Sequence, residues 1–148
     1  MRSFILFKVL DSCFGIDIQR IVSIEKNSVT IPIPQSPSYM MGIVNIRGQV
    51  VPVIDSYRLL YNREMQINEE TRYILIDVSD FTFALMVEST NEIMNINLDE
   101  INPVHMINDD EISFIEGIAL VNERLISILD IDKMLITLRE MNPVEVKI

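Results

Sequence analysis

One stretch of the sequence returns further along the chain, and this repetition limits the folds that the chain can adopt. Gly42–Leu60 matches Gly117–Leu135 at a spacing of 75 residues without a gap, with glycine on glycine at the start and leucine on leucine at the end. A second match, at a spacing of 69 residues, aligns Phe14 and the apolar residues that follow it with Phe83 and the apolar residues that follow Phe83. Two ordered matches indicate an internal duplication, so we expect two similar halves.

The repeated stretch has the pattern of a β-hairpin followed by a short helix. Runs of β-branched residues lie on either side of Arg47 and Gly48, and a glycine between two such runs is typical of a hairpin turn. Asp55 then stands where a helix N-cap is expected. In the second copy Asn122 and Glu123 replace Arg47 and Gly48. Because the halves differ at this turn, we expect it to serve a function.

The length allows one domain, or two small lobes that share a core. Halves of about 70 residues bury little surface alone. Hydrophobic residues make up 49% of the chain and the mean hydropathy is +0.27, but no run approaches the roughly 20 apolar residues of a membrane helix. The N-terminal apolar run ends at Lys8, too early for a secretion signal, and Cys13 is the single cysteine. We therefore expect a cytoplasmic protein without disulfides or direct membrane insertion.

The net charge of −10 is carried by the second half of the chain. Residues 1–70 hold 7 acidic and 7 basic side chains, whereas residues 71–148 hold 15 acidic and 5 basic ones. Nucleic-acid binding needs clustered lysine and arginine, so that class is disfavoured. The acidic half is either a solvated surface or a face for a basic partner.

The chain reads as about ten short strands with few helices, which is typical of small β-barrels. Helical turns are expected after Ser36 and after Asp55, and a longer C-terminal helix over 130–141. Strands are expected at 4–9, 14–25, 72–78, 81–87, 112–120 and 125–129, in addition to the hairpin around Arg47 and Gly48.

Residues that could carry chemistry are scattered, which argues against an enzyme. His105 has no second histidine or cysteine near it in sequence, and Cys13 has no adjacent base. Asp109–Glu111 lacks the alternating spacing and the glycine of a calcium loop. The four glycines are too dispersed for a phosphate loop. We therefore expect no catalytic residue, no metal and no cofactor.

Arg47 stands out, because a fixed cation between two apolar strands must be paired or exposed. Two interpretations stay open. In the first, Arg47 caps the hairpin and pairs with a nearby acid. In the second, Arg47 forms a binding site with apolar residues from both halves, namely Ile21, Val44, Ile46, Val87 and Ile93.

Several segments, in order along the chain, carry a resemblance to a known family. They are Phe14–Ile18, Ile31–Pro37, Gly42–Asp55, Glu116–Ile118 and Ile126–Leu135. Over almost its whole length the chain is similar to the CheW family of chemotaxis coupling proteins. The resemblance implies an all-β fold of two intertwined five-stranded SH3-like barrels, built by internal duplication, with short helices including one at the C-terminus.

The resemblance also implies a domain organisation. We expect one CheW-like domain over 1–148, with a first lobe over about 14–61 and a second lobe over about 72–129. The N-terminal strand, 3–10, and the C-terminal helix, 130–141, would pack across or beside the lobes.

The function that the resemblance implies is that of a non-catalytic adaptor coupling chemoreceptors to the histidine kinase CheA in bacterial chemotaxis. Its partners would be the regulatory domain of CheA and the cytoplasmic tip of methyl-accepting chemoreceptors, which would recruit it to membrane receptor arrays. Two alternatives stay open. One is a scaffold for another CheA-like kinase pathway, and the other is a small anion- or ligand-binding barrel that uses Arg47.

In the family, a groove between the barrels holds the tip of the receptor's helical hairpin. The resemblance assigns no residue of this chain to the contact with the kinase. Ser23 stands where many members have a glutamate that pairs with the arginine, so Arg47 either pairs with Glu25 or Glu88 or is freer for the receptor. The predicted receptor-binding residues are Ile21, Ser23, Gly42, Asn45, Arg47, Gly48, Val87 and Ile93.

Overall fold

The structure is a computed structural model that describes residues 1–103 and 114–141, with side chains up to residue 138. The strands are β1 (Arg2–Val9), β2 (Ser12–Asp17), β3 (Ile21–Lys26), β4 (Met40–Ile46), β5 (Gln49–Asp55), β6 (Arg72–Val78), β7 (Phe81–Val87), β8 (Ser89–Ile96), β9 (Ile101–Pro103), β10 (Ile115–Val121) and β11 (Arg124–Leu129). The helices are α1 (Ser56–Tyr61) and α2 (Ile131–Met141), and 3₁₀ turns cover Ile18–Arg20 and Leu98–Glu100. His105, Asp109–Glu111 and the start of the expected strand 112–120 lie outside the described residues.

The strands form two sheets. A six-stranded sheet has the order β8-β1-β2-β11-β10-β9, and a five-stranded sheet has the order β3-β6-β7-β5-β4. The β2–β11 and β5–β7 pairs are parallel, and the other pairs are antiparallel. The all-β class with few helices is confirmed. One sheet has a strand more than expected, the three-residue β9.

The two halves of the chain exchange their first hairpins. The first half supplies the β1–β2 hairpin and then β3, β4, β5 and α1, and the second supplies the β6–β7 hairpin and then β8 to β11 and α2. Each hairpin pairs with later strands of the other half, β1 with β8, β2 with β11, β6 with β3 and β7 with β5. The sheets thereby redistribute the strands of the expected lobes, 14–61 and 72–129. Residues 12–17 lie in the six-stranded sheet and residues 72–87 in the five-stranded one.

The two equivalent hairpin turns share a backbone conformation although their residues differ. Arg47 and Gly48, between β4 and β5, have φ angles of 52° and 86°, and Asn122 and Glu123, between β10 and β11, have 51° and 66°. Left-handed backbone at both central positions gives the twist that antiparallel strands need. The predicted hairpin around Arg47 and Gly48 is therefore confirmed, and the second copy folds in the same way.

Two predicted elements were wrong. The long strand expected over 14–25 is interrupted by the Ile18–Arg20 turn, because the chain leaves one sheet there and enters the other. The helical turn expected after Ser36 is not formed. The Ser36 hydroxyl donates instead to the Ile33 carbonyl at 2.8 Å, and β4 already starts at Met40. The short helix after Asp55 is confirmed as α1, since the Asp55 carboxylate accepts from the Tyr57 backbone N–H at 2.9 Å.

The largest hydrophobic core lies between the two sheets. It takes Phe7 and Phe14 from the first hairpin, Ile74 and Leu85 from the second, and Met134 from α2. Each sheet also has a smaller core on its other face. The halves therefore share one core, as expected for units too small to bury enough surface alone.

Candidate functional site

Arg47 lies at an exposed turn and forms an ion pair across the five-stranded sheet. Its side chain is 77% exposed, and its Nη2 atom lies 3.2 Å from Oε2 of Glu25 on β3. Since β3 and β4 are the two edges of that sheet, the ion pair links its edges. Glu88 lies elsewhere, 3.1 Å from the Lys8 ammonium and hydrogen-bonded by the Tyr57 hydroxyl. The predicted pairing with Glu25 is confirmed, and pairing with Glu88 was wrong.

The ion pair leaves hydrogen-bonding capacity unused. Glu25 Oε2 is buried and, among the described residues, has no hydrogen-bond partner, so its contact with Arg47 is electrostatic without hydrogen-bond alignment. A guanidinium has five N–H donors in a fixed fork. The exposed Arg47 can therefore bind an acceptor on a partner without leaving Glu25.

Three of the predicted residues shape the hairpin that presents Arg47. The Asn45 side-chain oxygen accepts from the Gly48 backbone N–H at 2.9 Å, which closes the turn. Gly48 itself has φ 86°, a backbone conformation that favours glycine. Gly42 lies where another segment approaches, since a Cβ atom there would be 2.3 Å from the Ile31 carbonyl oxygen.

The apolar neighbours proposed for Arg47 are mostly core residues. Val87 is 0% exposed and lies in the core between the sheets, so its predicted place in a binding site was wrong. Val44 and Ile46 are also buried, in the five-stranded sheet's own core. These strands pack against a core on both faces. An alternating pattern of residues in the sequence does not distinguish such a strand from one that has an exposed face.

Ile21 and Ser23 lie on opposite faces of β3. Ile21 pairs with Ile76 and Ile24 pairs with Ile74, both residues of the core between the sheets. Cross-strand partners share a face, so Ile21 and Ile24 face that inter-sheet side. Ser23, like Glu25, points to the other face because successive side chains alternate. Arg47 therefore meets β3 from the face opposite Ile21.

Ile93, on β8 of the six-stranded sheet, also faces the inter-sheet side. It pairs with Ile5, which shares its face of β1 with Phe7 and Val9, two residues of the inter-sheet core. Ile93 is 64% exposed and Ile24 is 39% exposed. Both edge strands thus carry an exposed isoleucine at the margin of the space between the sheets.

Sequence analysis missed further exposed apolar residues near Ile21. They are Ile18, Val22 and Ile24. The sequence does indicate these exposed residues, because β3 carries apolar residues at both odd and even positions, namely 21, 22 and 24. A strand with one buried face shows them at one parity only.

Two more exposed apolar surfaces lie at the β10–β11 turn and beside the β4–β5 hairpin. Leu120 and Leu125 flank the β10–β11 turn and are 58% and 65% exposed. Val29 and Ile31 are also exposed, and they line a groove of about 560 Å³ beside β4 and β5. Exposed apolar patches of this kind mark interaction surfaces in soluble proteins.

Two observations bear on the chemistry available in the described part of the chain. Residues 1–103 and 114–141 contain no group of three or more His, Cys, Asp or Glu side chains arranged to hold a metal ion. Burial raises the pKa of the Cys13 thiol despite the nearby Arg124, which keeps the thiol protonated and weakly nucleophilic. In the same ranges, no helix has the length and apolar character needed to cross a membrane.

Comparison with known proteins decides the family. Residues 3–139 match the profile described as CheW-like domain. The chain belongs to the CheW-like family. This CheW-like protein is 32% identical to the chemotaxis protein CheW of Bacillus subtilis (strain 168), over 88% of this chain and 85% of that protein. It is 31% identical to the chemotaxis protein CheW of Helicobacter pylori (strain ATCC 700392 / 26695), over 89% of this chain and 80% of that protein.

A solved structure shows the same fold. The CheW-like protein superimposes on the scaffolding protein TtCheW from Thermoanaerobacter tengcongensis with a TM-score of 0.79 and 25% sequence identity, covering 87% of this chain and 84% of that chain. These relatives are named as chemotaxis and scaffolding proteins, and this chain is a non-catalytic scaffolding or adaptor protein of that kind.

Proposed function

We propose that this CheW-like protein couples the cytoplasmic tip of a methyl-accepting chemoreceptor to the regulatory domain of a CheA-type histidine kinase. It would work in the cytoplasm, recruited to membrane receptor arrays by its partners. The observation that carries this proposal is the pair of exposed isoleucines at the margins of the inter-sheet space, Ile24 and Ile93. The partly buried Ile21 lies on the same face of β3 as Ile24, and the exposed Ile18 lies in the turn before β3.

The receptor side follows from the shape of this surface. An amphipathic helix binds by placing its apolar face in a groove between apolar walls. Here Ile24 on β3 and Ile93 on β8 would form the walls, one from each sheet. Arg47 meets β3 from the other face, through Glu25. Its exposed guanidinium would contact the helix beyond the β3 edge and fix the helix register through that polar contact. Asn45, Gly48 and Gly42 would act by holding the hairpin that carries Arg47.

The kinase side would use the exposed apolar ends of the molecule. Leu120 and Leu125 project at the β10–β11 turn, whereas Val29 and Ile31 line a groove beside β4. A kinase domain with similar barrels could meet these ends without covering the inter-sheet isoleucines. Receptor and kinase could then bind at the same time, which coupling requires.

The anion-binding alternative has less support. Arg47 already has a carboxylate partner, Glu25 at 3.2 Å, and it is 77% exposed. A small-ligand site is normally concave and buries most of its ligand.

The test measures kinase autophosphorylation and co-sedimentation with receptor membranes, using wild type, Ile24→Glu, Arg47→Glu and Leu125→Glu. Ile136→Glu on α2 is the matched control, because Ile136 is 53% exposed and lies outside the proposed surfaces. We expect Ile24→Glu to weaken receptor binding by about tenfold or more, the size of an interface hot spot. Arg47→Glu should abolish receptor control of the kinase, and Leu125→Glu should weaken kinase binding while leaving receptor binding intact.

Two results would overturn the proposal. The first is a wild-type protein that neither alters kinase activity nor sediments with receptor membranes. The second is equal binding by Ile24→Glu and Ile136→Glu, because the inter-sheet isoleucines would then have no special role.

A further inference from the structure

The chain crosses from the six-stranded to the five-stranded sheet through the 3₁₀ turn Ile18–Arg20, and this turn has no buried residue. Hydrophobic packing therefore does not determine its conformation. Ile18 belongs to the turn and Ile21 follows it directly. The conformation of the turn thus decides where two residues of the proposed receptor surface lie.

Polar contacts hold the entrance of the turn. Asp17 accepts from the Gln19 backbone N–H at 2.9 Å and from Arg2 Nε at 3.0 Å. Arg2 also pairs with Glu116 on β10, with Nη1 lying 2.5 Å from Oε2. These carboxylates raise the pKa of Arg2, so its charge is constant. The start of the crossover is therefore tied to β1 and β10.

A separate ion pair holds the exit of the turn. Arg20 Nη2 lies 2.8 Å from Oδ2 of Asp132, in the first turn of α2. The two side chains are 38% and 59% exposed, so the pair adds little to global stability. A weak contact can still set the conformation of a turn that has no buried residue.

The other crossover is built in a comparable way. At Glu88, between β7 and β8, the Tyr57 hydroxyl of α1 donates to the carboxylate. Tyr57 and Asp132 correspond at the spacing of 75 residues found in the sequence. Each helix therefore contacts a connection between the two sheets, and it does so through the residue at the same position in its first turn. The recurrence argues that these contacts orient the crossovers.

We propose that Arg20 and Asp132 are positioning residues of the receptor-binding site. Their ion pair docks the crossover turn on α2 and so orients Ile18 and Ile21 before the receptor arrives. Preorganisation of this kind lowers the conformational cost of binding. This inference rests on the proposed function, because it assigns Ile18 and Ile21 to the receptor.

The experiment is a charge-exchange series on the full chain. Receptor-membrane binding is measured for wild type, Arg20→Asp, Asp132→Arg and the double variant that carries both changes. Glu64→Arg is the control for the charge change of Asp132→Arg, at an exposed position away from the crossover. We expect each single variant to weaken binding by about threefold to tenfold, with unchanged urea unfolding midpoints. The double variant, which restores an ion pair of reversed polarity, should regain wild-type affinity to within about twofold.

The outcomes separate positioning from direct contact. If the double variant stays as weak as Arg20→Asp, Arg20 contacts the receptor itself and the positioning role is overturned. If the single variants bind as wild type does, the role is also overturned.

A partner-independent readout separates this inference from the proposed function. Amide hydrogen exchange of residues 18–21 should be faster in Arg20→Asp than in wild type and restored in the double variant. If wild type binds no receptor, the proposed function fails and the receptor role of the ion pair fails with it. Unchanged exchange in Arg20→Asp, with receptor binding by wild type intact, would overturn the positioning inference alone.

Discussion

Gly42 and Gly48 both require glycine, but for different physical reasons. Gly42 has φ 146°, and a Cβ atom would lie 2.3 Å from the Ile31 carbonyl oxygen. That carbonyl accepts from the Ile43 backbone N–H at 2.9 Å, so it cannot easily move away. Gly48 has φ 86°, but no atom lies within 4 Å of the position that a Cβ atom would occupy there. The first glycine avoids a clash, and the second only avoids backbone strain.

We therefore expect alanine to cost much more at Gly42 than at Gly48. Gly42→Ala should lower the free energy of unfolding by about 3 kcal/mol or more, since it combines a clash with a strained φ. Gly48→Ala should cost only about 1 kcal/mol. Urea unfolding followed by circular dichroism measures both. Equal losses would contradict the close approach of Ile31 to Gly42.

Asp55 makes stability depend on pH. It is 1% exposed, and burial raises the pKa of its carboxyl above the usual value, although backbone N–H groups of Tyr57, Arg58 and Met65 oppose this. The folded state then holds the proton more tightly than the unfolded chain does. Stability should accordingly fall as the pH rises from the ordinary carboxyl pKa through the raised one.

The variant Asp55→Asn isolates this effect. Asparagine keeps an oxygen that can accept from the Tyr57 N–H but does not titrate. We expect its free energy of unfolding to vary less than that of wild type between about pH 4 and about pH 7. Asp55→Ala serves as the control, because it loses the cap and about 1 kcal/mol. Parallel pH profiles for wild type and Asp55→Asn would contradict the raised pKa.

At the scale of elements, the β4–β5 hairpin is tied to β3 by the ion pair of Arg47 with Glu25. The pair is largely exposed on the Arg47 side, so we expect a double-mutant cycle to give a coupling of roughly 0.2–1 kcal/mol that falls with added salt. A cycle of Arg47 with Glu88 should give none, because Glu88 pairs with Lys8. Urea unfolding of the single and double alanine variants measures both cycles. A coupling to Glu88 as large as that to Glu25 would contradict the arrangement.

At the scale of the whole molecule, the exchanged hairpins make each half depend on the other. The β1–β2 hairpin pairs with β8 and β11, both from the second half of the chain. We expect fragments 1–66 and 67–148 to lack cooperative unfolding as monomers, and an equimolar mixture to regain the circular dichroism spectrum of the intact chain. The physical reason is that each fragment alone leaves its share of the inter-sheet core exposed.

Size-exclusion chromatography completes this test. A fragment could pair its own hairpin with the later strands of a second copy, which would give a dimer by strand exchange. A monomeric 1–66 with a cooperative transition would contradict the dependence of one half on the other.

Features that depend on neighbouring residues were determined by the sequence alone. The turn at Arg47 and Gly48, the cap at Asp55 and the C-terminal helix follow from local spacing and backbone preference, and the structure forms all three. The duplication was also predicted from the sequence, because the apolar positions of the two copies recur at a constant spacing. For Arg47 the sequence left open pairing with Glu25, pairing with Glu88 or a freer side chain, and the structure shows the pair with Glu25.

Tertiary structure alone decided which strands pair across the halves and which apolar residues stay exposed. Val87 and Ile93 were both predicted to line the binding site, yet Val87 is 0% exposed and Ile93 is 64% exposed. The strand β8 that carries Ile93 was missed, because half of its residues are exposed and its burial shows no alternation. Burial depends on what covers a face, and here the covering strands come from the other half of the chain. Local periodicity contains no information about that distant partner.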